Sequence, residues 1–129
     1  MILVVDPGSL KCGLAVMDDS ANVLEQCVVE KGRLDFSVSQ LAAKYAVEKV
    51  VIGHGTRSAE VERQVARLNL AAEIIFVPEK DSTLEARKYY FKENPPPLYL
   101  RFVPRSLLVP PRPIDDYAAV ILGERYLKC

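Results

Sequence analysis

The chain has 129 residues, the usual size of one domain and enough to bury a core. Its 17 basic residues balance its 17 acidic residues, so no global attraction to nucleic acid or anionic membrane is expected. Three widely spaced cysteines without a CxxC pair argue against a disulfide framework or a zinc site, and no apolar run reaches the roughly 18 residues of a membrane span. These totals predict one cytoplasmic domain, 1–129, whose contacts with any polyanion are local.

Three short apolar strands are predicted to open the chain. They cover Ile2–Asp6, Cys12–Asp18 and Asn22–Glu30, and the short polar turns between them are typical of antiparallel hairpins. The hydrophobic period then becomes helical over Asp35–Val47. The residues expected on the buried face of this helix are Phe36, Leu41, Ala42, Tyr45 and Ala46.

The middle of the chain alternates strands and helices. Two apolar runs, Lys49–Gly53 and Glu73–Val77, read as buried strands that run parallel to the first strand. An amphipathic helix between them begins at Ser58, and its apolar positions continue to Leu70. Strands followed by such an alternation predict an α/β domain with a mixed sheet.

The last third contains two helices separated by a proline-rich loop. The first begins at a cap among residues 81–83 and ends near Asn94, before the exposed loop Pro95–Pro113. Because a helix cannot bury three consecutive aromatic residues, one tyrosine of the run Tyr89–Phe91 is expected to be exposed. The final helix runs from about Ile114 to Leu127.

Three acids lie at element ends. Asp6 ends the first strand, Glu79 follows the last strand and Asp115 opens the last helix. The carboxyl ends of parallel strands share one sheet edge, where sites form in α/β proteins. Clustered carboxylates repel unless a hard cation such as Mg²⁺ or Mn²⁺ holds them, so metal-assisted attack of water on a phosphodiester is one interpretation. Ordinary strand-end and helix-start acids are the other.

Several residues are candidates for binding the substrate. The backbone N–H groups of Gly8 and Ser9 could contact a phosphate, although a tight turn explains these residues equally well. Basic side chains near the same edge could also contact phosphates, or could serve solubility alone. These are Arg57, Lys80, Arg87, Arg105 and Arg112.

Four motifs occur in order along almost the whole chain. They are DPGSxxxGLA at Asp6–Ala15, VVIGHGT at Val50–Thr56, EKDSTLEAR at Glu79–Arg87 and IDDYAAVIL at Ile114–Leu122. Together they resemble the YqgF/RuvX family, ribonuclease-H-like proteins considered to be Holliday junction resolvases or pre-16S rRNA nucleases. The resemblance implies an α/β fold with a ribonuclease-H-like mixed sheet of five strands, three antiparallel and then two parallel, with helices on both faces.

The same resemblance implies the residues of the site. Asp6, Glu79 and Asp115 would be catalytic ligands of Mg²⁺ or Mn²⁺, and the substrate would be structured nucleic acid, either a ribosomal RNA precursor or branched DNA. Asp116 is a rival for the third position, but one residue along a helix turns a side chain by about 100°. The D-x-x-A-A spacing favours Asp115. Neither the substrate nor a choice between monomer and homodimer follows from the motifs.

The chain departs from the family pattern in three places. Pro78-Glu79-Lys80 replaces Asp-Glu-Arg, the loop at His54–Thr56 is short, and the last loop reads Pro-Pro-Arg-Pro at 110–113. These departures keep a non-catalytic ribonuclease-H-like module, binding nucleic acid or a protein, as an alternative. A third reading takes DPGS as the phosphate loop of an actin-like or sugar-kinase-like fold, which would need a second similar domain that 129 residues leave no room for.

Overall fold

The computed structural model describes residues 1–55, 57–80, 82–95, 110 and 113–128. The strands there are β1 Ile2–Asp6, β2 Lys11–Met17, β3 Val23–Glu30, β4 Lys49–His54 and β5 Glu73–Pro78. The α-helices are α1 Leu34–Tyr45, α2 Ser58–Ala66, α3 Ser82–Glu93 and α4 Asp115–Lys128. Within these residues no helix combines the length and the apolar character needed to cross a membrane.

The strands form one mixed sheet in the order β3-β2-β1-β4-β5. The hairpins β1–β2 and β2–β3 are antiparallel, whereas β4 pairs parallel to both β1 and β5. This confirms the predicted sheet of three antiparallel and two parallel strands. The parallel register places Ile52 beside Val5 and Pro78 beside His54, so β1, β4 and β5 end at the same edge.

One face of the sheet packs against α1 and α2. Leu3 and Val5 of β1 lie in this core with Leu34 and Val38 of α1 and Val61 of α2. Their side chains are buried almost completely, as expected where helices cover parallel strands. This layer anchors the strand ends without contributing any of the three candidate acids.

The opposite face packs against α4. Alternate residues of β1, Ile2 and Val4, contact this second core, which includes Ala119 and Leu122 of α4. Helix α3 in turn packs on α4, with Ala86, Tyr90 and Phe91 against Tyr117, Ala118 and Ile121. Helices therefore cover both faces of the sheet, as predicted.

The predicted inner face of the first helix is partly wrong. Phe36 is 58% exposed and lies under the guanidinium of Arg33, 5.9 Å from the ring centroid. The buried residues are Leu34, Val38, Leu41 and Ala42, which pack in the core on the sheet, and the helix begins one residue before the predicted start. The stripe spaced i, i+4, i+7 that begins at Leu34 leaves Phe36 on the far side of the helix.

The expectation of an exposed tyrosine in α3 is also wrong. Tyr90 and Phe91 are buried and Tyr89 is half-buried. Tyr117 of α4 packs between the two tyrosines, with ring centroids 5.7 Å from Tyr89 and 5.5 Å from Tyr90. The proline-rich loop falls almost entirely on residues 96–109 and 111–112, outside the described residues.

Candidate acidic site at the carboxyl edge of the sheet

Asp6 lies at the end of β1 on the α4 face of the sheet. Side chains alternate along a strand, so Asp6 points to the same side as Ile2 and Val4. Its antiparallel partner on β2 is Gly13. The carboxylate is half-buried, which places a charged group where the strands end and the helix layer begins.

Asp115 reaches this point through a close contact between backbones. A Cβ atom on Gly13 would overlap the carbonyl oxygen of Asp115, so only glycine lets the first turn of α4 lie directly on β2. Because Gly13 is the neighbour of Asp6 in the sheet, the contact brings Asp115 next to Asp6. The acid one residue later has a different environment.

Asp116 is 4% exposed and has a partner within the fold. Its Oδ2 accepts a hydrogen bond of 2.9 Å from Nε2 of Gln26 on β3. A buried carboxylate with such a partner serves the packing of α4 on the sheet. This geometry supports Asp115, rather than Asp116, as the acid that faces Asp6.

Glu79 comes from the other side of the same edge. Its carboxylate lies over the end of β4: a Cβ on Gly53 would stand 3.1 Å from Oε2, and one on Gly55 would overlap Oε1. The loop beneath is fixed by the buried Ser58, whose hydroxyl donates a 2.8 Å hydrogen bond to the carbonyl of Gly55. The short loop therefore provides the space that the glutamate occupies.

Glu79 and Asp115 each lie near enough to Asp6 for their charges to act on it. Burial, followed by the charges of Glu79 and Asp115, raises the pKa of Asp6 to about 7. Burial and the neighbouring Asp116 raise the pKa of Asp115, while the ammonium of Lys11 opposes that rise. The predicted acids thus meet at the carboxyl edge; their catalytic role stays a prediction.

The chemistry of these donors fits a divalent cation. Within the described residues, no three His, Cys, Asp or Glu side chains stand close enough to hold a single ion. Mg²⁺, however, usually takes only one or two carboxylates and completes its shell with water and phosphate oxygens. Among the same residues none donates a hydrogen bond to the carboxylate of Asp6, Glu79 or Asp115, so these hard oxygens are available to a cation.

The predicted phosphate contacts are placed unequally. Lys80 is exposed directly after Glu79, and Arg57 is exposed just before α2, in the loop after β4. Both lie in segments that border the acids. Arg87, in contrast, is half-buried two turns along α3 and has a partner within the fold. The other two predicted contacts, Arg105 and Arg112, lie outside the described residues.

Gly8 and Ser9 form the turn between β1 and β2. A Cβ on Gly8 would overlap the carbonyl oxygen of Lys11, so the close turn itself accounts for the glycine. Ser9 is exposed in the same turn. Phosphate binding by either residue stays a prediction.

Sequence reasoning missed two cations that act at this edge. The guanidinium of Arg125 donates a 2.8 Å hydrogen bond to the carbonyl of Pro78 and a 3.1 Å hydrogen bond to Glu85, which ties α4 to the residue before Glu79. Lys11 lies near Asp115 on the other side of the site. A basic residue in the last turn of a helix normally indicates only the helix dipole, so Arg125 gave no separate signal.

No protein-family profile and no curated protein matches the sequence. Among solved structures, the chain is similar to RuvC of Thermus thermophilus, with a TM-score of 0.58 and 17% identity over 94% of this chain and 88% of that one. A ROK family glucokinase of Streptomyces griseus, solved with glucose and AMPPNP, has a TM-score of 0.44 and 16% identity over 70% and 36% of the two chains. The similarity to RuvC, together with the sheet described above, shows that this chain has the ribonuclease-H-like fold.

Proposed function

We propose that this protein is a divalent-metal-dependent nuclease of the YqgF/RuvX type that hydrolyses phosphodiester bonds in structured nucleic acid. The observation that carries the proposal is the convergence of Asp6, Glu79 and Asp115 at one sheet edge, where burial and then the charges of Glu79 and Asp115 raise the pKa of Asp6 to about 7. Burying a carboxylate beside like charges is unfavourable for folding, and a divalent cation held by these acids would offset this cost.

Each residue has a distinct part in the proposed site. Asp6, with Glu79 or Asp115, would hold Mg²⁺ or Mn²⁺, which when bound supplies positive charge to a phosphodiester in its transition state. Gly55 gives Glu79 its space, and Arg125 fixes the backbone before it. The exposed Lys80 lies where it could contact a phosphate as a point charge.

A second candidate function has one observation in its favour. Because no three acidic side chains of the described residues stand close enough to hold one ion together, the fold could serve as a nucleic-acid-binding module without catalysis. This module would need the exposed cations of the edge but none of the acids. A ribosomal RNA precursor and branched DNA are both compatible with either function.

The test is a cleavage assay with the substitution Asp6→Asn. Purified protein is incubated with a labelled four-way DNA junction or an RNA hairpin in Mg²⁺ or Mn²⁺. Since charge stabilisation of this kind contributes several kcal/mol, we expect Asp6→Asn to lower the rate about a thousandfold. Asp18→Asn, the same change at the opposite end of the sheet, is the matched control. Cleavage by Asp6→Asn at the wild-type rate would reject the assignment.

A further inference from the structure

Leu10, in the turn between β1 and β2, is the most exposed large apolar side chain of the described residues. It is 79% exposed, whereas Phe36 is 58% exposed. Its backbone is nevertheless held, because the carbonyl of Leu10 accepts a 2.9 Å hydrogen bond from the N–H of Lys31. The turn therefore presents an apolar group to solvent on an anchored backbone.

A shallow hollow of about 430 Å³ lies beside this leucine. Its lining residues are Ser9, Leu10, Lys11, Glu30, Lys31 and Gly32. One side is apolar and the rest is polar or charged, which suits a ligand that is itself part apolar ring and part anion. A single exposed leucine is common on protein surfaces and needs no explanation. Leu10, however, lines a hollow together with Lys11 and Lys31, beside the candidate nuclease site.

Lys11 is the cation nearest to the acids on this side. By strand alternation its side chain leaves the same face as Gly13, and the field of its ammonium opposes the rise in the pKa of Asp115. Although Glu30 is its cross-strand neighbour, Lys11 forms no ion pair with any described residue. Lys31, by comparison, is bonded to Glu60 at 2.8 Å. Lys11 therefore acts on Asp115 through its charge but has no ion-pair partner among the described residues.

A second hollow joins Lys11 to the start of α4. It has a volume of about 310 Å³ and is lined by Lys11, Val28, Val29, Glu30 and Pro113. Pro113 lies two residues before Asp115. The two hollows share Lys11 and Glu30, so Lys11 lies between the apolar side chain of Leu10 and the start of α4, which carries Asp115.

We infer that the β1–β2 turn binds an unpaired nucleotide next to the position of cleavage, with Lys11 on its phosphate and Leu10 against its base. The inference rests on the proposed nuclease function. Apolar side chains that contact or unstack bases are a common means of recognising nucleic acid, and a lysine positions the backbone without reading sequence. The preferred substrate would have an unpaired nucleotide beside the scissile bond.

The test measures binding without cleavage. In the Asp6→Asn background, with EDTA, each variant is titrated with an RNA hairpin that carries 2-aminopurine in an unpaired flank, and with a fully paired duplex. Leu10→Ser should weaken binding of the flanked hairpin about tenfold, while duplex binding stays unchanged. The change in 2-aminopurine fluorescence on binding should also become smaller. Lys11→Gln should weaken binding of both ligands. It should also reduce the slope of log K against log salt concentration by about 1.

The controls remove equivalent groups far from this turn. Leu24→Ser alters an exposed leucine on β3, and Lys92→Gln an exposed lysine near the end of α3; neither should change binding. Circular dichroism and thermal melting confirm that each variant is folded. Binding of the flanked hairpin by Leu10→Ser within twofold of the parent would overturn the inference, as would no binding by the parent.

Failure here is distinguishable from failure of the proposed nuclease. If wild-type protein cleaves and Asp6→Asn does not, but Leu10→Ser binds like its parent, the turn is not the contact and the nuclease stands. If no metal supports cleavage, yet Leu10→Ser selectively loses the flanked hairpin, the turn is a nucleotide contact in a non-catalytic module.

Discussion

Two aspartates at opposite ends of the sheet have opposite environments. Asp18, after β2, accepts hydrogen bonds of 2.9 Å from the N–H groups of Ser20 and Asn22 and one of 3.1 Å from the side chain of Asn22, which lower its pKa. The carboxylate of Asp6, at the end of β1, accepts no hydrogen bond from the described residues, and its pKa rises to about 7. Asp18 stabilises a turn, whereas burial and the neighbouring carboxylates disfavour the charged form of Asp6.

The two ends of the sheet differ in whether their polar side chains have hydrogen-bond partners. At the Asp18 end, Lys49 donates a 3.0 Å hydrogen bond to the hydroxyl of Tyr126. At the other end, Asp6 shares its surroundings with Glu79 and Asp115. Where a fold breaks the rule that buried polar groups are satisfied, the reason is usually a ligand rather than stability.

The largest expected effect on stability is a gain from Asp6→Asn. Between pH 4 and 7 the folded state binds the Asp6 proton more tightly than the unfolded state, so wild-type stability falls as pH rises through this range. The rise in pKa from 3.8 to about 7 corresponds to a loss of at most about 4 kcal/mol above pH 7. Asparagine cannot ionise, so urea denaturation in EDTA at pH 8 should find Asp6→Asn more stable than wild type.

Asp18→Asn should change stability in the opposite direction. Its lowered pKa means that the folded state favours the charged form, so the contribution of Asp18 is present above its unfolded pKa and is lost in acid. The variant should therefore be slightly less stable than wild type at pH 8. An Asp6→Asn protein that is no more stable than wild type at this pH would contradict the contrast between the two acids.

A divalent metal ion bound at the acidic site should restore part of the stability that the charged form of Asp6 costs. A ligand at 100 times its Kd adds about 2.7 kcal/mol to the free energy of unfolding, so Mn²⁺ should raise the Tm of wild type at pH 8. The rise should be smaller at pH 5.5, where protons compete for Asp6. Asp6→Asn should lose the response and Asp18→Asn should keep it. No response of wild type would favour the non-catalytic module.

A smaller effect is expected from a substitution that displaces the Glu79 carboxylate. Gly55→Ala adds a methyl group where the Glu79 carboxylate lies, so that carboxylate must leave its position. A displacement of about 1 Å can cost on the order of a hundredfold in rate, which is the expected loss of cleavage. Asp18→Asn, at the opposite end of the sheet, is the control for a substitution remote from the site. Equal cleavage rates of the two variants would show that the position of Glu79 is unimportant.

The sequence was sufficient where the signal is local. Alternating apolar runs and their polar ends predicted the sheet and placed Asp6, Glu79 and Asp115 at one edge. It was insufficient where a side chain depends on a partner remote in the chain: Arg125 bonds to Pro78, 47 residues away, and Asp116 bonds to Gln26, 90 residues away. The stripe of α1 was misread because its buried face is set by packing of Leu34 and Val38 on strands remote in the chain, which leaves Phe36 outside the core.

Gly13 gives the site a marker that can be followed through evolution. Its φ is not positive, so the strand conformation would accept other residues, and the requirement for glycine comes only from the backbone of Asp115 lying against it. A larger residue would leave the β1–β2 hairpin intact while pushing the start of α4 away from Asp6. If the proposed function is correct, relatives that keep the fold without the chemistry should be free to replace Gly13, whereas active relatives should retain it.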